Sequence, residues 1–109
     1  MKLAVIDVGT SSMRGILYGE DASILYSHQV KYKVQYLSET MAEQDPADWK
    51  GALYEIVREL NRWARERKLS IDGLSLTAQR SSVIPVDREG EPLRNARLAN
   101  IRDLRFTMP

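Results

Sequence analysis

No cysteine occurs among the 109 residues, and histidine appears once, as His28. A disulfide framework, a thiolate metal site and a thiol nucleophile are therefore excluded, and so is a histidine-based metal cluster. An excess of charge of one sign is lacking too: sixteen Lys and Arg against fifteen Asp and Glu leave a formal net charge of +1. This balance removes the main electrostatic reason to expect a nucleic-acid or membrane-surface protein. Long hydrophobic runs are missing. Asp7 interrupts the opening stretch before it reaches the ~7–15 apolar residues of a signal peptide. No run approaches the ~20 residues of a membrane span. The expected compartment is the cytoplasm. What remains is 43% apolar and 28% charged, enough for a core and against wholesale disorder. The length suits one domain at most.

Leu3-Ala4-Val5-Ile6 is a short continuous apolar run closed by Gly9-Thr10-Ser11-Ser12, the pattern of a strand buried on both faces and followed by a tight turn. Residues 13–18 resume strand character, so the two pair as an antiparallel hairpin, and residues 19–21 form the next turn. Residues 23–36 include the alternation Val30, Tyr32, Val34, Tyr36 with polar residues between, which predicts a third strand with one wet face. Residues 38–44 are polar and read as a loop. Asp45 and Pro46 then start a helix, Asp45 as cap and Pro46 at the first helical position. Trp49, Ala52, Leu53, Ile56, Leu60, Trp63 and Ala64 recur at spacings of three and four, one apolar stripe on a helix running from about Pro46 to Lys68. Strands over residues 71–78 and 82–86 follow, with a Gly-containing turn at 87–92. The expected fold is therefore α/β: a mixed sheet with a three-stranded antiparallel meander, one long helix, then further strands. A first strand that is apolar on both faces needs a helix layer on each side. This chain supplies one helix, so it is expected to be a piece of something larger or to have its second face covered by a partner. An uncovered sheet face or edge also invites self-association into a homo-oligomer.

The sharpest chemical feature is Asp7-Val8-Gly9-Thr10-Ser11-Ser12-Met13-Arg14. A carboxylate at the end of a strand is suited to Mg²⁺, which prefers oxygen ligands and keeps several waters. Gly9 lets backbone approach a phosphate, and turn N–H groups with the hydroxyls of Thr10, Ser11 and Ser12 can donate to its oxygens. On composition alone the same residues also suit a plain hairpin whose aspartate caps its own turn. Thr77-Ala78-Gln79-Arg80-Ser81-Ser82 ends the strand after the helix, where ligands of α/β sheets lie. Gln79 and Arg80 offer an amide and a guanidinium fork suited to a polyol, though without context a surface arginine in a loop explains Arg80 better. In residues 95–105, Asn100, Asp103 and Arg105 are polar candidates in a segment that otherwise reads as solvated. Core packing explains Trp49 and Trp63, and the basic run 58–68 is a solvated helical face.

The stretch D-x-G-T-S-S-x-R of residues 7–14, just after an apolar strand, resembles the first phosphate motif of the FGGY carbohydrate kinases. Residues 42–49 (AEQDPADW) resemble that family's lead into its first helix, residues 76–82 its strand-and-loop segment, and residues 87–96 its following turn. The matches occur in the family's order over nearly the whole chain. The resemblance implies an actin-like ATPase domain of ribonuclease-H-like topology, here residues 1–109 as the front part of the family's N-terminal domain. It implies ATP as co-substrate, Asp7 placing Mg²⁺, and Gly9, Thr10, Ser11, Ser12 and Arg14 at the ATP phosphates. Gln79, Arg80 and Asp103 become contacts to a sugar or polyol. Where many members carry W-x-D-x-R, this chain has Ile101-Arg102-Asp103-Leu104-Arg105. The family's second phosphate motif, adenosine motif and catalytic base do not occur in it. No catalytic residue is expected within the chain. Met1 reads as a start and Pro109 as a cut.

The expected activity is ATP-dependent phosphorylation of a sugar or polyol hydroxyl by the full-length kinase, with the isolated chain inactive. A ribonuclease-H-like nuclease needs several convergent carboxylates, and Asp72 stands at the wrong end of its strand to meet Asp7. A non-catalytic interaction or regulatory domain that keeps the fold is the remaining alternative. Intact Asp7, Gly9 and Thr10 argue against it, whereas the expected truncation argues for it.

Overall fold

Three strands at the start of the chain form the expected meander. The computed structural model describes residues 1–38, 41–78 and 82–98. Strands β1 (Leu3–Val8) and β2 (Ser12–Tyr18) pair antiparallel with Leu3 opposite Tyr18 and Asp7 opposite Arg14. Strand β3 (Ile24–Lys31) lies antiparallel on the far side of β2. The chain leaves this sheet after Lys31, earlier than the alternation to Tyr36 predicts. Gln35–Tyr36 instead forms a short strand, β4, in a second sheet. Alternation reports one wet face, not which sheet a residue joins.

Residues 38–44 are not all loop. Ala42–Gln44 is strand β5, with Glu43 and Gln44 buried despite their polarity. Glu43 is compensated by Arg94, whose guanidinium donates at 2.6 Å; Gln44 is compensated by partners described below.

Helix α1 (Pro46–Glu66) begins as its capping residues dictate: the Asp45 carboxylate accepts from the Ala47 N–H at 2.9 Å. It stops short of Lys68 because Lys68 itself takes a left-handed φ of 57°. The Leu69 N–H closes the end on the Ala64 carbonyl. Ala52, Ile56, Leu60 and Ala64 are its buried stripe. Ala52, Ile56 and Leu60 pack with Ala4, Ile6, Met13 and Leu17 in one core. Burying side chains the size of Ile56 and Leu60 contributes about 1.5–3 kcal/mol each. Trp63 stacks on Tyr26 at 5.5 Å between ring centroids. His28 on β3 meets the Glu55 carboxylate of α1 at 2.8 Å, a polar link at the edge of the same interface.

After α1 the chain returns as β6 (Gly73–Ala78), parallel to β1 with Asp7 opposite Thr77. The first sheet thus runs β3-β2-β1-β6. Asp72 lies beside Lys2, donating its N–H to the Lys2 carbonyl at 2.8 Å. It is therefore at the opposite end of the sheet from Asp7, and the two carboxylates cannot share metal ions. Residues 82–86 make no regular strand among the described residues; Val83 and Val86 form isolated bridges to Arg97 and Pro92. Proline at 85 cannot donate to a ladder, which accounts for the interruption. The turn at 87–92 is present, with the Asp87 carboxylate accepting from the Glu89 and Glu91 N–H groups and Gly90 at φ 83°. Strand β7 (Ala96–Arg97) completes the second sheet, β4-β5-β7, all antiparallel.

Burial of β1 on both faces is not observed among the described residues. Ala4 and Ile6 face α1, whereas Leu3 is 45% exposed and Asp7 is exposed. A run of only four apolar residues does not separate two-sided burial from one-sided burial. Helix α1 also lies over β2 and β3 and not over β6, so Leu74 and Leu76 remain exposed on its side of the sheet. No helix among the described residues is long and apolar enough to cross a membrane.

Candidate functional site

Pleating sorts the first sheet into two faces. The face away from α1 carries Leu3, Val5 and Asp7 on β1, with Tyr18, Ile16 and Arg14 on β2 in register beside them. It is apolar where β1 begins and polar where β1 ends. At that polar end β1 and β6, being parallel, both finish, and this is where open α/β sheets hold ligands. Asp7 is exposed there and accepts from the Thr77 hydroxyl at 2.7 Å. Arg14, directly across from Asp7, and Lys31, across from Ser12, are exposed cations on the same face.

Between β1 and β2 the turn at residues 9–12 is held from behind. The Gly9 N–H donates to the Ser12 carbonyl at 2.9 Å. A Cβ on residue 9 would stand 3.0 Å from that same oxygen, so a side chain there requires the Ser12 carbonyl to give way. The Tyr32 hydroxyl donates to the Gly9 carbonyl and, at 3.0 Å, to that of Ser12. The Tyr32 N–H donates to the Ser11 carbonyl at 3.1 Å. The Gln44 side-chain amide donates to the Thr10 carbonyl and accepts from the Trp49 indole N–H at 3.1 Å. Gln29 donates to the Ser12 hydroxyl at 2.9 Å. Every carbonyl of the turn is thereby engaged, while the N–H groups of Thr10 and Ser11 have no protein acceptor among the described residues. The Thr10 and Ser11 side chains are exposed beside them.

The structure therefore brings together Asp7, Gly9, Thr10, Ser11, Ser12 and Arg14, all named from the sequence. Gln79, Arg80 and Asp103, with Asn100 and Arg105, lie outside the described residues. Sequence reasoning missed Tyr32, Gln44 and Gln29, and it saw only the packing role of Trp49. Tyr32 sits just past the end of β3, where the alternation gives it no special place. Nothing local marks Gln44 as buried; its one cue is its position directly before the helix cap.

Burial pushes the Tyr32 phenol above its ordinary pKa, and the nearby Asp7 carboxylate adds to the shift. Because the folded pKa is raised, neutral Tyr32 stabilises the fold fully below about pH 10, and this contribution is lost as pH rises through the folded pKa. Urea midpoints measured between about pH 9 and 11 are expected to fall more steeply for the parent chain than for Tyr32→Phe. Parallel curves would show that the hydroxyl is not confined as described.

A profile described as "FGGY family of carbohydrate kinases, N-terminal domain" matches residues 3–105. The chain belongs to the FGGY family of carbohydrate kinases. It is 30% identical over 95 residues to a xylulose kinase of Bacillus subtilis, covering 87% of this chain and 19% of that protein. It is 31% identical over 96 residues to a glycerol kinase of Rhodospirillum centenum, covering 86% and 19%. The chain thus spans about a fifth of the length of the curated relatives it matches. Among solved structures, Plasmodium falciparum glycerol kinase with ADP superposes with a TM-score of 0.82 at 28% identity, over 87% of this chain and 19% of that one. A xylulose kinase from Rhodospirillum rubrum gives 0.82 at 24% identity, over 89% and 20%, a likeness of fold. The FGGY kinases have an actin-like ATPase fold, and the meander, helix and parallel return of this chain are its opening elements.

Proposed function

We propose that this chain forms the phosphate-gripping front of a kinase that transfers the γ-phosphoryl group of ATP to a hydroxyl of a sugar or polyol. The observation that carries the reading is the turn at residues 9–12. Its carbonyls are tied to the protein and its Thr10 and Ser11 amides are left for an acceptor, beside the exposed carboxylate of Asp7. Paired free amides in a tight turn make an anion-binding concavity. That relatives are named xylulose kinase and glycerol kinase supports a sugar or polyol as phosphoryl acceptor.

A single exposed carboxylate fits magnesium arriving with a nucleotide, since Mg²⁺ takes one or two carboxylates beside substrate phosphates and keeps several waters. It does not fit an all-protein cage, for no group of three metal-ligating side chains occurs among the described residues. Held at Asp7, the ion would neutralise charge on the phosphate oxygens during transfer. The chain's own groups do the positioning. The Thr10 and Ser11 N–H groups and the hydroxyls of Thr10, Ser11 and Ser12 donate to phosphate oxygens, and Arg14 adds positive charge across from Asp7. Gln79, Arg80 and Asp103 are proposed as contacts to the acceptor substrate. As the acceptor oxygen bonds to the γ-phosphorus, the bond to the ADP oxygen breaks, and the acceptor proton passes to a base outside this chain. An ATP-consuming reaction of this kind suits the cytoplasm.

The purified chain is expected to bind ADP weakly and in a Mg²⁺-dependent manner, and to show no turnover of ATP with pentoses, hexoses or glycerol. Calorimetric or amide-shift titration with and without Mg²⁺, alongside a coupled assay for ADP release, tests both statements. Absence of any nucleotide response would remove the phosphate reading. Turnover would place the catalytic base within residues 1–109.

A further inference from the structure

Each peptide unit joins a carbonyl and the next residue's N–H in one plane, pointing in opposite directions when the bond is trans. No cis peptide occurs among the described residues. Whatever holds the carbonyl of Gly9 therefore sets the direction of the Thr10 N–H, and whatever holds the carbonyl of Thr10 sets that of the Ser11 N–H. Tyr32 holds the first and Gln44 the second.

We infer that Gln44 and Tyr32 are positioning residues of the phosphate turn, pulling its carbonyls back so that the Thr10 and Ser11 amides face the ligand. This rests on the reading of that turn as a phosphate cradle. Neither side chain is placed to touch the ligand itself, since both work from behind the turn.

The orientation of the Gln44 amide is fixed by chemistry. The Trp49 indole can only donate, and the Thr10 carbonyl can only accept. The Gln44 oxygen must therefore face Trp49, and its nitrogen must face Thr10. Gln44 has no exposed surface, so water does not replace either partner. Glutamate keeps the shape and the acceptor for Trp49 but presents a carboxylate oxygen to the Thr10 carbonyl, reversing attraction into repulsion. Gln44 stands in β5 of the second sheet, and Trp49 in the first turns of α1. The network thus ties the turn to both the second sheet and the helix, so the aim of two amides depends on elements far from it in sequence.

The test is an amide-shift titration of the ¹⁵N-labelled chain with Mg²⁺-ADP, comparing the parent with Tyr32→Phe and Gln44→Glu. The parent is expected to respond at Thr10 and Ser11. Both variants are expected to bind about tenfold more weakly, with reduced shifts at those two amides, as the loss of one well-made hydrogen bond predicts. Signals of β1 to β3 report whether the fold is retained, which separates a loss of aim at the turn from a general loss of structure. Should Gln44→Glu fail to fold, Tyr32→Phe alone decides the matter, because it removes one hydroxyl and keeps the ring. Parent-like affinity in a folded variant overturns the inference while the phosphate reading stands. No response from the parent overturns the phosphate reading and the inference together.

Discussion

Substituting Gly15 by alanine is expected to lower the unfolding free energy by about 1–3 kcal/mol, and valine by more, through overpacking. Gly15 lies in the centre of β2, on the face covered by α1. A Cβ built there falls 2.3 Å from Ile56 Cγ2 and 3.2 Å from Leu60 Cδ1. Ile56 is fully buried and cannot swing away into solvent. The helix must lift or the strand must bend, and either loosens the contact that joins α1 to the sheet. Against a total stability of about 5–15 kcal/mol this is a large share. Gly51→Ala is the matched control. No atom lies within 4 Å of a Cβ at that exposed helix position, so alanine is expected to stabilise by about 1 kcal/mol through helix propensity. Urea unfolding of the two single variants should move their midpoints in opposite directions. A Gly15→Ala midpoint equal to the parent's would show that helix and sheet are further apart than described.

The second large effect concerns Asp7→Asn, for which two opposite responses are expected. With Mg²⁺ present, ADP affinity should fall at least about tenfold, since a neutral amide is a poor ligand for a hard divalent cation. With metal chelated, affinity should stay level or rise, because the variant removes a negative charge from beside a polyanion. Stability should change little. Asp7 is exposed, and asparagine retains an oxygen to accept from the Thr77 hydroxyl. Titrations in magnesium and in chelator, on the same preparations, give the two curves. If Asp7→Asn lowered affinity equally in both, the carboxylate would be shaping the turn rather than serving a metal.

The parts of the fold that local pattern encodes were legible. Asp45 and Pro46 marked the start of α1 because a cap and a ring-fixed φ act within one turn of chain. The stripe from Trp49 to Ala64 announced the buried side because helical period is intrinsic to the backbone. Its end was overestimated because Lys68 is an ordinary helix former by propensity, and the left-handed turn it takes is a conformation no composition signals there. The second sheet was not legible. Its strands are two or three residues long, too short to show a period. Gln44 pairs with Ala96 and Gln35 with Glu43, partners supplied by chain distant in sequence or beyond a loop. Ile84 and Val86 give the stretch around Val83 the composition of a strand, yet Val83 makes only an isolated bridge to Arg97.

The site divides along the same line. Asp7, Gly9, Thr10, Ser11, Ser12 and Arg14 lie within one short stretch, so one reading of one turn names them all as candidates, and the family likeness supports the chemistry proposed for them. Tyr32, Gln44 and Trp49 hold that turn from separate elements.

The sequence alone determined which tight turn gathers Asp7, the three hydroxyl residues and Arg14, where α1 begins and which side of it is buried, because each of these is an interaction between residues close along the chain. Only the tertiary structure decided which way the turn's amides point and why a glutamine before a helix is buried. Those depend on hydrogen bonds whose directions are set when β1, β3, β5 and α1 meet, and no local pattern contains them.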